Sequence, residues 1–212
     1  MSFPDSLYFY GDSHMFDYAA GVDGVSINSL GPGALISHFD EKTLRPGRPE
    51  DLNHLISSLQ EVKENSCVIF SCLDQESRIA MGERSGNEFE REYERSVHRA
   101  MALLIKNVPS SCKVVIAEIF SIANEHASEQ TCTTEKRLKN RKLLNSFVAD
   151  AANQLDIKCI FHSSNPIFTG DDGFVKDSAM IRDGVHYNFG FELPGGKTIR
   201  QEVTEQILES IK

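Results

Sequence analysis

The chain contains no run of about 18 apolar residues, the length a membrane-spanning helix of ordinary type requires. Nor does its N-terminus show a basic segment followed by an apolar one, so no secretory signal is expected and the expected location is cytoplasmic. The 22 Lys and Arg are outnumbered by 31 Asp and Glu, for a net charge of −9. A chain of this acidic balance is a poor match for nucleic acid or an anionic membrane surface. The five cysteines, at 67, 72, 112, 132 and 159, are odd in number and none shares Cys-x-x-Cys spacing, which argues against a metal site of the zinc type. Cys67, Cys72, Cys112 and Cys159 lie in or beside apolar runs and read as reduced, core or near-core thiols. No repeat, low-complexity tract or Pro/Gly-rich linker divides the sequence. Its 212 residues, 40% hydrophobic, suit one domain over residues 1–212 with a real core.

What is present is an alternation of short apolar runs with amphipathic stretches. Leu7–Tyr10, Val25–Asn28, Cys67–Cys72, Lys113–Ala117 and Ile157–Phe161 read as strands. Leu52, Leu55, Ile56, Leu59 and Val62 recur at helical spacing, as do Tyr93, Val97, Ala100, Met101 and Leu104. Leu138, Leu144, Phe147, Val148 and Ala151 mark a third helix over Glu135–Leu155, and a last one opens at Gly195 or Gly196 and runs to Ile211. Leu30-Gly31-Pro32-Gly33-Ala34 reads as a turn, with glycines for unusual backbone angles or close approach. Phe120–Thr134 is a long polar connection holding His126 and Cys132, of the length that often serves as a lid or substrate wall. Strands alternating with helices predict βα repeats, a parallel sheet and a three-layer α/β/α sandwich with right-handed crossovers.

Two stretches carry chemistry. Leu7–Tyr10 stops at Gly11-Asp12-Ser13-His14, so a buried strand hands over to a tight turn holding Ser13. That puts the serine at the C-terminal edge of the sheet, where open α/β folds place their sites. A helix starting next would set its N-terminal amides around Ser13 and favour negative charge there. Gly-Asp-Ser is equally the composition of an ordinary capped turn. Near the other end stands Arg182-Asp183-Gly184-Val185-His186-Tyr187-Asn188. An Asp and a His three apart fit one turn, in which the carboxylate fixes the imidazole tautomer and steadies its cation, and the imidazole takes a proton from a hydroxyl. A solvated turn with a surface histidine is the plain alternative.

Read together and in this order, the two stretches resemble the SGNH hydrolases, the GDSL-type esterase/lipase superfamily, whose sequence blocks are spread over a whole chain of this kind. The resemblance implies a flavodoxin-like, five-stranded parallel sheet in the order 2-1-3-4-5 and acyl transfer without any cofactor or metal. It implies that Ser13 is the nucleophile, His186 the general base and Asp183 its orienting acid, with Asn188 on the family's His-x-Asn continuation. The oxyanion donors it implies are the N–H of Ser13, the N–H of Gly31 (Gly33 being second choice) and a third group after the third strand. There the family's Gly-x-Asn-Asp falls on Leu73-Asp74-Gln75-Glu76, so Gln75 stands for the asparagine on a longer stem. The run Leu73–Arg78 is similar to the Gly-Glu-Ile-Asp-Cys-Arg-like run of a branch linked to polysaccharide loci, with acids at 74 and 76 and Arg at 78.

Loss of one oxyanion donor typically costs about 10² to 10³ in rate. The departure at 73–75 therefore leaves Gln75 or Arg78 in that role, a slow enzyme, or a site that is not an esterase. The readings open are a serine esterase acting on a small-molecule or carbohydrate ester, an acyltransferase to a glycan hydroxyl, and a non-catalytic binding module on the same fold. Arg78 is otherwise either a contact for an acidic or sugar substrate or the partner of Asp74 or Glu76. His14 either shapes the leaving-group side or packs locally. Gly196-Lys197-Thr198 resembles the end of a P-loop, but Phe191 stands where that motif needs glycine and no strand immediately precedes it, so nucleotide binding is rejected.

Overall fold

A computed structural model describes residues 4, 6–11, 26–32, 49–71, 77, 81–82, 84–117, 132–160, 169–174, 188 and 190–211. In chain order its elements are β1 (Ser6–Gly11), β2 (Ser26–Pro32), α1 (Pro49–Gln60), β3 (Cys67–Ser71), α2 (Asn87–Asn107), β4 (Lys113–Ala117), α3 (Thr134–Gln154), β5 (Lys158–Ile160) and α4 (Ile199–Ser210). The fold is mixed α/β. The five strands pair in the order β2-β1-β3-β4-β5, and every pairing is parallel. No described helix is long and apolar enough to cross a membrane.

β1 is buried along its whole length, which is why Leu7–Tyr10 is apolar without alternation: a parallel strand covered on both faces has no side to give to water. Its register carries across the sheet, with Leu7 beside Cys67 and Cys67 beside Lys113, so side chains of like parity share a face. Tyr8, Tyr10, Val68, Phe70 and Ile116 form one face and pack against Leu55 and Leu59 of α1, Tyr93, Val97, Ala100, Met101 and Leu104 of α2, and Leu144, Phe147, Val148 and Ala151 of α3. Tyr10 and Phe70 meet edge to face, their ring centroids 6.2 Å apart. Leu7, Phe9, Cys67, Ile69, Val115 and Ala117, also buried, belong to the opposite face. On that side Lys113 Nζ donates to the carbonyl of Ile211, the C-cap of α4. Helices therefore cover both faces.

That contact also orients α4. Its C-terminus meets the first residue of β4, and the helix packs against β5, so it runs against the strands with its N-terminus toward their C-terminal edge. Both long helices begin or end as their sequences dictate. Thr133 caps α3 by accepting from the Lys136 N–H, and α2 carries Glu88 and Glu90 in its first turn, where the helix dipole favours acids. α4 starts at Ile199 rather than at the glycines. Thr198 and Gln201 form a reciprocal capping box, while Gly195 and Gly196, at φ 112° and 84°, make the turn before it.

Two further expectations are corrected. Leu30-Gly31-Pro32 is not a turn but the end of β2. A proline is admissible there because β2 is an edge strand, where a missing ladder donor need not face a neighbour. The polar connection ending at Thr134 stops earlier: Cys132 is buried and Thr133 already belongs to the cap of α3, while 118–131, with His126, lie outside the described residues.

Leu144 is fully buried where α3 meets the core, so Leu144→Ala should cost about 2–5 kcal/mol of unfolding free energy by urea titration, against about 1 kcal/mol for Thr198→Ala at the exposed cap.

Candidate active site

The strand ends form a row. Gly11 pairs with Pro32 on one side and with Ser71 on the other, and Ser71 pairs with Ala117. The chain leaves this single edge after β1, β3 and β4. Ser13 follows Gly11 by two residues, and the Leu73–Arg78 run begins two residues after Ser71. Ser13, His14, Gln75, Arg78, Asp183 and His186 themselves lie outside the described residues, as do Gly33, Asp74, Glu76 and Cys72.

Gly31 is described, and its setting is unusual. Phe9 faces Ser29, yet Gly11 faces Pro32. Tyr10 alone on β1 is thus opposed by both Leu30 and Gly31 on β2, a slip of one residue in the ladder. An extra residue of this kind leaves regular pairing and bends its strand, a device common beside active sites. The slip falls at the strand's C-terminal end, next to the row of Gly11 and Ser71.

Asn188 is exposed, and its carbonyl accepts from Phe191 N–H at 2.8 Å. From there the chain is laced to the start of α4: Ile199 N–H reaches the Phe191 carbonyl at 3.0 Å, Leu193 N–H the Lys197 carbonyl at 2.7 Å, and Glu192 bridges to Thr198. The Asp183–His186 run ends two residues before this anchored turn, and the turn stands at the end of α4 that faces the strands' C-terminal edge.

Pattern reading missed a buried polar face on α3. Arg137, Asn140, Arg141 and Asn145 are all buried, at positions that hydropathy assigns to solvent. Because β5 starts at the opposite edge and follows α3 closely, the N-terminal half of α3 lies toward the C-terminal edge of the sheet. Asn140 Nδ2 donates to the carbonyls of Ser77 (3.2 Å) and Gly82 (2.9 Å), in the stretch between β3 and α2. Arg141 Nη2 donates to the carbonyl of Gly173 at 3.2 Å. The signal available in sequence is only the i, i+4 recurrence of 137, 141 and 145, which no hydropathy scale weights.

A rival nucleophile can be set aside. Cys67 opens β3, at the edge away from Gly11, and burial pushes its thiol up to about 12, with Lys113 only partly opposing. At neutral pH it is a protonated core group. Among the described residues no cluster of three or more His, Cys, Asp or Glu is placed to hold a metal ion.

No protein-family model matches the sequence, and no curated protein matches it. Solved structures do match in fold. A carbohydrate acetylesterase from Sinorhizobium meliloti superposes with a TM-score of 0.57 at 13% identity, over 97% of this chain and 96% of that one. The M. smegmatis aryl esterase gives 0.56 at 13%, over 96% and 98%. A GDSL-like lipase from Bacteroides thetaiotaomicron gives 0.52 at 14%, over 100% and 90%. The chain thus shares the fold of GDSL-like lipases, acylhydrolases and aryl esterases.

Native protein treated with N-ethylmaleimide at pH 8 and mapped by mass spectrometry should leave Cys67 unmodified while the half-buried Cys112 reacts. Modification of Cys67 should need denaturant, and its labelling in native protein would contradict the burial described.

Proposed function

We propose that the chain is a serine ester hydrolase of the SGNH type, one domain of flavodoxin-like fold over residues 1–212, acting on a small acyl ester. The observation that carries this reading is the aligned row of strand ends. Gly11, Pro32 and Ser71 stand side by side, and the three sequence runs that resemble the family's nucleophile and oxyanion blocks lie on or directly after those strands. The anchored turn at Asn188, close in sequence to Asp183 and His186, supports the fourth block at the same edge.

In this reading Ser13 Oγ attacks the ester carbonyl carbon while His186 takes its proton and Asp183 stabilises the imidazolium. The carbonyl oxygen becomes an oxyanion facing the N–H groups of Ser13 and Gly31, with the Gln75 amide as third donor. The one-residue slip supports Gly31 for the task, since Leu30 and Gly31 share one partner there and one of the two leaves regular pairing. His186 returns the proton to the leaving alkoxide. Water, deprotonated by the same imidazole, then attacks the acyl-enzyme and frees Ser13. No step calls for a cofactor. Arg78 and His14 flank the nucleophile blocks in sequence and are assigned to the substrate side.

A small acyl group carried on a carbohydrate is the substrate class we assign. It is supported by the similarity of Leu73–Arg78 to the polysaccharide-locus branch and by the fold shared with a carbohydrate acetylesterase. The acidic net charge fits a neutral or sugar ester better than a polyanion.

The test is hydrolysis of p-nitrophenyl acetate and butyrate at pH 7 to 8, followed by acetylated sugars. Ser13→Ala and His186→Ala should each remove about 10³-fold or more of the rate, and Gln75→Ala about 10²-fold. Equal rates in wild type and Ser13→Ala would overturn the hydrolase. Ester consumption that yields acylated glycan instead of free acid would identify the acyltransferase, and saturable binding without turnover would identify the binding module.

A further inference from the structure

The buried polar face of α3 has no part in the chemistry assigned above, yet it is built with some care. Asn140 is 1% exposed, and both protons of its amide are spent, one on the Ser77 carbonyl and one on the Gly82 carbonyl. Ser77 is itself fully buried and Met81 nearly so. Ser77 and Gly82 both lie in the chain between β3 and α2. Few side chains can donate to two carbonyls from one point. Leucine fills the volume without donating, aspartate turns oxygens toward two carbonyl oxygens, and glutamine reaches one carbon too far.

The donor also stands on a rigid base. The next turns of α3 carry Leu144, Phe147, Val148 and Ala151 into the main core. The neighbouring Arg141 holds the Gly173 carbonyl in the turn after β5, where Gly173 at φ 85° is in the left-handed region and Gly170 N–H closes on the Phe174 carbonyl at 2.9 Å. One helix thus grips the chain after β3 and the chain after β5. Ser77 follows Gln75 by two residues and precedes Arg78 by one.

We infer that Asn140 is a positioning residue. By clamping the Ser77 and Gly82 carbonyls it sets where the run holding Gln75 and Arg78 lies relative to the nucleophile edge, and it acts through that run without touching substrate. Its catalytic consequence rests on the esterase reading above; the clamp itself does not. A group held this way keeps an oxyanion donor preorganised, and small displacements of such a donor are felt in turnover more than in substrate binding.

The test uses the full chain with Asn140→Leu, and Asn140→Asp in case the first variant does not fold. Amide hydrogen exchange over 72–82 should accelerate about tenfold or more while β1 and β4 stay protected, a local opening and not a global one. With p-nitrophenyl acetate, kcat should fall about tenfold at nearly constant KM, but by under about twofold when Gln75→Ala is already present, because two groups acting through one another are not additive. Uniform acceleration across the chain, or an equal loss in both backgrounds, would overturn the inference and leave Asn140 as packing. Should wild type show no Ser13-dependent turnover, the esterase reading fails separately, and the exchange pattern over 72–82 alone decides for or against the clamp.

Discussion

The structure depends on the burial of β1 between two strands and two helical layers. A central strand with no exposed face must be apolar throughout, and its ladder on both sides fixes the neighbours' register. With register fixed, the places where β1, β2 and β3 end are fixed as well. Gly11, Pro32 and Ser71 fall side by side because Leu7, Tyr8 and Phe9 are seated against Ile27, Asn28 and Ser29 on one flank and Cys67, Val68 and Ile69 on the other. Proximity of distant sequence runs at one edge is thus a by-product of core packing.

The helical layers add a second kind of constraint. α3 joins the hydrophobic core through its C-terminal half and holds loops through its N-terminal half, so it is amphipathic along its length as well as around its axis. Burying Arg137 and Arg141 is expensive unless the guanidinium groups are well hydrogen-bonded, and such burial more often serves a specific arrangement than stability. Here the arrangement reaches the chain after β3 and the chain after β5 together. On the other face, Lys113 at the start of β4 closes on the end of α4, a cation meeting the negative pole of a helix.

Much of this was legible from residue pattern. The buried faces of α2 and α3 follow from 3.6-residue periodicity, and Tyr93, Val97, Ala100, Met101 and Leu104 are buried as that spacing requires. Lys113–Ala117 reads as a strand from its run of apolar residues, and a strand stands at those bounds. Pattern failed where backbone pairing or hydrogen bonding overrode composition. Gly31 and Pro32 look like a turn but end an edge strand, since the ladder with β1 continues after slipping by one residue. The start of α4 was displaced because a Thr–Gln capping box defines a helix end more sharply than a glycine pair does. Asn140 and Arg141 were invisible because hydropathy assigns a polar side chain to water and cannot tell when backbone carbonyls take water's place. Of the proposed site, only Gly31 falls among the described residues, and the composition of the blocks at Ser13 and His186 remains the part that was read from sequence.

The slip in β2 has a consequence beyond the neighbourhood of Gly31. A sheet can grow only at its outer strands, where an incoming strand needs a straight row of free donors and acceptors. At one border that row is broken by the slip between Phe9 and Gly11 and closed by Pro32, which has no N–H to offer. That border is therefore a poor template for the edge-to-edge strand pairing by which fibrils extend.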